Sequence, residues 1–261
     1  MKNVMKLVGW HWRFVRYPFA LLCGIYGVQQ MLLLLLSASN KGKIGMQLAD
    51  LFMSCGQFPL FFFVLYLVLL VSAAANQNRG RAHTSYTLYT MPFSRVVLPV
   101  AQMLLCLALL VIFAAWQVLL YVAAYVPVSM FGAGAMAGMV SGVLPTGNLL
   151  DEINANPLFQ LLLPARPGTG LWLIGFFLVL SVQSACVAVC RGLRRMAAMV
   201  AALITAGVGA GALYLRYLIA TDHTKEQGVF LLLAFLLAAA ILPLVLNLIS
   251  AAWALYRSET L

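Results

Sequence analysis

Few side chains able to do chemistry occur in this sequence, and they are scattered. The three histidines are His11, His83 and His223. His11 and His223 lie near the ends of apolar runs and His83 in a polar stretch, where a surface or lipid-headgroup contact accounts for them better than acid–base catalysis. All five cysteines (Cys23, Cys55, Cys106, Cys186 and Cys190) fall inside apolar runs and read as small core residues. Cys186 and Cys190 stand one helical turn apart, but no Cys/His spacing of a metal site is present. There is no His-Glu-x-x-His and no Gly-x-Ser-x-Gly. The Gly/Met-rich stretch 132–142 lacks the Gly-Lys-Ser/Thr ending of a phosphate loop. No catalytic residue, metal site or cofactor is therefore expected, and the chain is not read as an enzyme.

What the apolar runs do contain is amides: Gln29, Gln30, Gln57, Gln102, Gln117, Gln183 and Asn247. No acid accompanies them, whereas a proton or sodium site inside a membrane needs charge or strong oxygen ligands. Two uses stay open. Amides can tie helices together at roughly 0.6–2 kcal/mol each, or they can line a weakly polar route for an amphipathic substrate, with Gln29, Gln30 and Gln57 the leading residues.

The elements that must position these groups follow from composition. Of 261 residues, 64% are hydrophobic and 8% charged, and the mean hydropathy is +0.99, far outside the range of soluble domains. A helix needs about 20 apolar residues to cross a bilayer. Six runs qualify: 17–36, 51–75, 96–126, 171–190, 196–219 and 229–255. The expected fold is an all-α integral membrane protein with six transmembrane helices in one domain, 1–261. Pro18 and the long uninterrupted first run predict that the N-terminus stays attached rather than being cleaved as a signal peptide.

Basic residues near span ends are retained in the cytoplasm. Placing the N-terminus inside puts eleven of the 16 Lys and Arg on the inner face, among them Lys2, Lys6, Arg13, Arg16, Arg79, Arg81, Arg95 and Arg191. The other five, Lys41, Lys43, Arg166, Arg216 and Lys225, fall at the outer face. Both termini are then cytoplasmic. The net charge of +10 reads as this topology signal plus attraction to anionic lipid, without nucleic-acid binding.

Residues 1–16 form a basic amphipathic pattern at about 100° per residue. Lys2, Lys6, Arg13 and Arg16 share one side, with Val4, Leu7, Val8, Phe14 and Val15 on the other, which suits an interfacial helix. The longest outer segment is 127–170, an ordinary loop or a lid dipping toward the membrane. In the fifth run, Gly207 and Gly211 belong to overlapping small-xxx-small pairs, and the first run offers Gly24 and Gly27. Such positions let helix backbones approach closely, either between two subunits or within one. No internal repeat of the kind used by inverted-repeat transporters is evident.

One interruption stands apart. Between the second and third runs lies Asn76–Arg95, a polar stretch carrying Tyr86, Leu88 and Tyr89 and closing with Met91-Pro92-Phe93-Ser94-Arg95. A polar helix with such an ending, leading into a span, resembles the cytoplasmic coupling segment of type-2 ATP-binding-cassette transporter permeases. Their segment ends in a Leu-Pro-x-Ser-Arg-like run, and Met91 stands where leucine is common.

The resemblance covers the six-span layout and the amphipathic helix before span one. It implies that 76–95 docks on a separate cytoplasmic ATPase, with Tyr86, Leu88, Tyr89 and Arg95 transmitting its motion. ATP and magnesium would belong to that partner. It also implies contact between two permease copies, identical or similar, through spans one and five, with Gly24, Gly27, Gly207 and Gly211 as candidates. The chain would be the permease of an exporter for an amphipathic peptide, lipid or drug-like substrate, multi-pass in a bacterial-type cell membrane. The alternative is a non-pumping immunity or sensor protein that binds a peptide at the outer face.

Overall fold

The computed structural model describes residues 2–41, 48–74, 97–136, 149, 151, 153, 156–162, 167–190, 193–221, 245–249 and 251–252. Among these every regular element is helical and none is a strand. The helices are α1 (Lys2–Lys41), α2 (Leu48–Ser54), α3 (Gln57–Ala73), α4 (Val97–Met136), α5 (Pro157–Leu162), α6 (Pro167–Val189) and α7 (Leu193–Thr221). Residues 245–249 add a further helical stretch.

Among the described residues three helices are long and apolar enough to cross a membrane: Val4–Ser37 within α1, Val97–Pro127 within α4 and Leu193–Ala212 within α7. Two shorter apolar helices, Gln57–Ala73 and Leu173–Val189, accompany them. Their surfaces agree with a lipid environment. On α1, Tyr17, Leu21, Ile25, Val28, Leu32 and Leu36 are each more than half exposed. That continuous apolar stripe would be costly in water and costs nothing in hydrocarbon.

Three elements differ from the sequence expectation. First, the basic amphipathic segment and the first span are one helix that passes through Pro18 without a break. Pro18 removes one backbone donor, yet Leu7, His11, Val15, Phe19, Cys23, Tyr26, Gln30 and Leu34 form a buried stripe running across it. Packing along that stripe holds both sides in register. Second, the expected span 51–75 is split. Gly56 adopts φ 69°, in the left-handed region that favours glycine, and separates α2 from α3. The turn is closed by Cys55 N–H to Leu51 O at 3.1 Å and Gly56 N–H to Met53 O at 3.2 Å. Third, the segment expected as an outer loop from residue 127 begins as helix, since α4 continues through Pro127 to Met136.

The chain divides into two compact units. The first comprises Met1–Ala20, Phe62–Val111 and Ile174–Leu261, and the second Leu21–Phe61 and Ile112–Leu173. In the first unit Leu7 and Ala101 anchor an apolar cluster with Val4, Val8, Trp10, Val97 and Leu98. Cys186, Cys190 and Ala251 form another, with Val182. In the second unit aromatic rings dominate: Tyr26, Phe52, Phe61, Phe113, Tyr121 and Phe159 are all fully buried. Such rings contribute large contact areas and favour offset or edge-on pairing.

Candidate functional site

The four residues expected to contact an ATPase, Tyr86, Leu88, Tyr89 and Arg95, lie outside the described residues. The same holds for His83 and His223. The amides and glycines can be placed, and they sort into two kinds of surroundings.

In the first unit Ser72, Gln102, Ser184, Gln183, Thr205 and Asn247 are buried and joined by hydrogen bonds. Ser72 Oγ donates to Leu69 O at 2.8 Å and lies 2.5 Å from Ser184 Oγ. A hydroxyl has one proton to give, and Ser184 Oγ also lies within reach of Leu69 O, at 3.5 Å, so either serine can be the donor in the contact between them. Gln102 Nε2 in turn donates to Ser184 Oγ at 3.2 Å. Gln102, Ser184, Ser72 and the Leu69 carbonyl together join α4, α6 and α3. On the same turn of α6, Gln183 accepts from Asn247 Nδ2 and donates to Thr205 Oγ1 at 3.4 Å. Thr205 Oγ1 donates to Ala201 O at 2.9 Å, and Asn247 Nδ2 also reaches Ala198 O at 3.4 Å. This second chain joins α6, α7 and 245–249. Gln102, Gln183 and Asn247 thus do the work of helix-to-helix ties.

His11 belongs to this unit too. It is fully buried, with its ring 5.5 Å from Trp10, not at the surface as its position near a helix end suggested. The signal was present in the wheel: at 100° per residue, position 11 falls in the middle of the arc holding Val4, Leu7, Val8, Phe14 and Val15. Lys6, Arg13 and Arg16 are exposed on the opposite side, Arg16 lying 4.6 Å from the Tyr17 ring.

The second unit is different. Gln30, Gln57 and Gln117 are fully buried, and neither amide atom of any of them has a hydrogen-bond partner; nor has the Tyr26 hydroxyl. A buried polar group without a partner costs about 1–3 kcal/mol. Seven such atoms would together cost on the order of 10 kcal/mol, comparable with the whole stability of a domain. Of the three leading candidates for a polar route, Gln30 and Gln57 are brought into this buried set, while Gln29 sits on the exposed face of α1. Gln117 joins them. Its spacing within an apolar run resembled that of Gln102 and Gln183, and sequence alone offered nothing to separate a tied amide from an untied one.

No family model, curated protein or solved structure matches the chain. Function is read from its own residues.

The glycines also separate. A Cβ on Gly27 would stand 3.2 Å from Leu120 Cδ2 and 3.6 Å from Trp116. The missing side chain lets α4 close on α1, and Trp116 Nε1 donates to the Cys23 carbonyl at 3.1 Å. Gly27 is therefore used inside one subunit. Gly24 and Gly207 face open space, with nothing within 4 Å of an added Cβ, and Gly211 lies within α7, partly buried. Gly209 is the tight one: an added Cβ would overlap the Phe176 ring on α6.

Proposed function

We propose that this chain is the membrane-spanning permease subunit of an ATP-driven exporter, crossing the bilayer six times with both termini in the cytoplasm. The observation that carries the reading is the segment 76–95. α3 ends at Ala73 and α4 begins at Val97, so the stretch holding Tyr86, Leu88, Tyr89 and the Met91–Arg95 ending joins two apolar helices, the position of a coupling segment. A separate ATPase, which would bind the nucleotide and magnesium, moves this segment and thereby switches a pair of permeases between inward-closed and outward-open forms.

Charge placement supports the orientation. Lys6, Arg13, Arg16 and Arg194 are exposed and Arg195 is partly so, all in the first unit, which suits an inner-face position for those helix segments. In the second unit the described charged side chain is the exposed Asp151. Helices without internal charge, carrying neutral amides, suit an amphipathic peptide, lipid or drug-like substrate. Gly24 and Gly207, open on their helix faces, are the positions at which two permeases would meet.

Aromatic anchors at an interface commonly cost over about 2 kcal/mol when truncated. Tyr86→Ala combined with Tyr89→Ala should therefore release the ATPase, or uncouple its hydrolysis from substrate, while the permease still inserts and folds. Retention of a normal ATPase partner and full transport by the double variant would exclude the coupling role.

A further inference from the structure

In the second unit the aromatic contacts fix the levels of three helices. Phe61 on α3 stacks on Phe113 of α4 with centroids 5.5 Å apart, and Tyr26 on α1 lies 5.3 Å from the same Phe113. Two turns further along α4, Tyr121 meets Phe52 on α2 at 5.8 Å. Chain numbers thus fall along α3 and α2 as they rise along α4, and Gln57 comes level with Gln117, midway between the two contacts. On α1, Gly27 packs against Trp116 and Leu120, so numbers rise in the same sense as on α4, and Gln30, one turn beyond Tyr26, reaches that level also. Side chains one turn apart share a helix face. Three glutamines therefore form one layer, bounded on one side by Tyr26, Phe61 and Phe113 and on the other by the Phe52–Tyr121 pair.

The geometry points to a closed, uncharged binding site in this layer, which takes a neutral group able both to donate and to accept hydrogen bonds: water, or the amide of a peptide-like solute. The three amides offer N–H donors and carbonyl acceptors together, and the Tyr26 hydroxyl adds one of either kind. All seven polar atoms lack protein partners, and polar atoms so deeply buried are satisfied in folded proteins by water or ligand. The stretches 21–36, 51–61 and 112–127 contain no charged residue, so an ion entering the layer would lose its hydration without gaining a countercharge. The site does not depend on export, since it would have the same chemistry in a protein with no motor.

The test uses the full chain in lipid nanodiscs with nitrogen-15 in the glutamine side chains. Magnetisation transfer from water to side-chain NH2 groups is followed by solid-state NMR, and signals are assigned by Gln→Asn at each position. Transfer to Gln30, Gln57 and Gln117 should build up severalfold faster than to Gln102 and Gln183, whose amides are tied to protein groups. N-acetyl-leucine amide is then titrated in, with N-acetyl-leucine carboxylate as the charged control. Fast transfer unaffected by the amide identifies water as the occupant. Loss of that transfer with a saturable shift of the three signals identifies a site for neutral amides. Slow transfer at all three without response to the amide overturns the proposal, and an equal response to the carboxylate overturns its neutrality.

Discussion

The two units differ in how they bury their glutamines. In the first, Gln102, Ser184 and Ser72 form one set of hydrogen bonds reaching the Leu69 carbonyl, and Asn247, Gln183 and Thr205 form another reaching the Ala201 carbonyl. In the second, Gln30, Gln57, Gln117 and Tyr26 are as deeply buried and hand nothing to one another. The same residue type is a tie in one setting and an open valence in the other. The difference teaches that an amide in an apolar helix is defined by its neighbours across the interface, because an unmade hydrogen bond costs more than a made one contributes. A unit with closed chains is suited to hold its shape, and a unit with open valences is suited to receive something.

Stability measurements can break this contrast. The buried cysteines Cys23, Cys106, Cys186 and Cys190 allow thermal unfolding in detergent to be followed with a thiol-reactive fluorophore. The largest effect is expected for Gly209→Leu, whose side chain collides with Phe176. Overpacking of this kind costs about 3 kcal/mol, part of which a second substitution, Phe176→Ala, should restore. If Gly209→Leu unfolds at the wild-type temperature, α6 and α7 are not packed as described.

Next comes Gln183→Leu, which removes one acceptor of the Asn247 amide and the donor to Thr205, for a loss of about 1–3 kcal/mol. The matching change in the second unit, Gln117→Leu, removes no hydrogen bond to protein and should cost under about 1 kcal/mol, since an apolar replacement of similar size can be nearly neutral there. Equal losses for these two variants would erase the contrast. The smallest effect on stability is expected for Gly207→Leu, which meets open space. Its consequence should appear in association, as a shift toward monomer in lipid; unchanged oligomeric state would remove Gly207 from the contact between permeases.

Much of the helix layout was legible. The runs 196–219 and 171–190 are helical, in α7 over Leu193–Thr221 and α6 over Pro167–Val189; of the two, Leu193–Ala212 is long and apolar enough to cross a membrane, and Leu173–Val189 is shorter. The break at Gly56 was not legible, since Leu-Phe-Met-Ser-Cys-Gly-Gln-Phe is apolar enough throughout and hydropathy carries no information on φ. That the amphipathic segment and the first run form one helix was not legible either, since the buried stripe that crosses Pro18 is set by packing. At the candidate site, Gln30 and Gln57 were singled out from residue type, whereas Gln117 became distinct only through its register with Phe113 and Tyr121. The segment 76–95, proposed for coupling, is read from the sequence alone and lies outside the described residues.

Topology sharpens the functional side. In a cysteine-free background, single cysteines at Arg79, Leu193 and Ser258 should be labelled only from the cytoplasm, and those at Gly42, Asp151 and Thr224 from outside. Labelling of position 151 from the cytoplasm alone would overturn six spans.

The exporter reading stands or falls on a partner. The most direct measurement is extraction of the tagged chain from its native membrane in mild detergent, with mass spectrometry of whatever accompanies it. The account predicts a cytoplasmic ATPase of the ATP-binding-cassette type, held in a complex with two permease subunits and lost when Tyr86 and Tyr89 are both replaced by alanine. Recovery of the intact, folded chain with no ATPase at any detergent strength would contradict it.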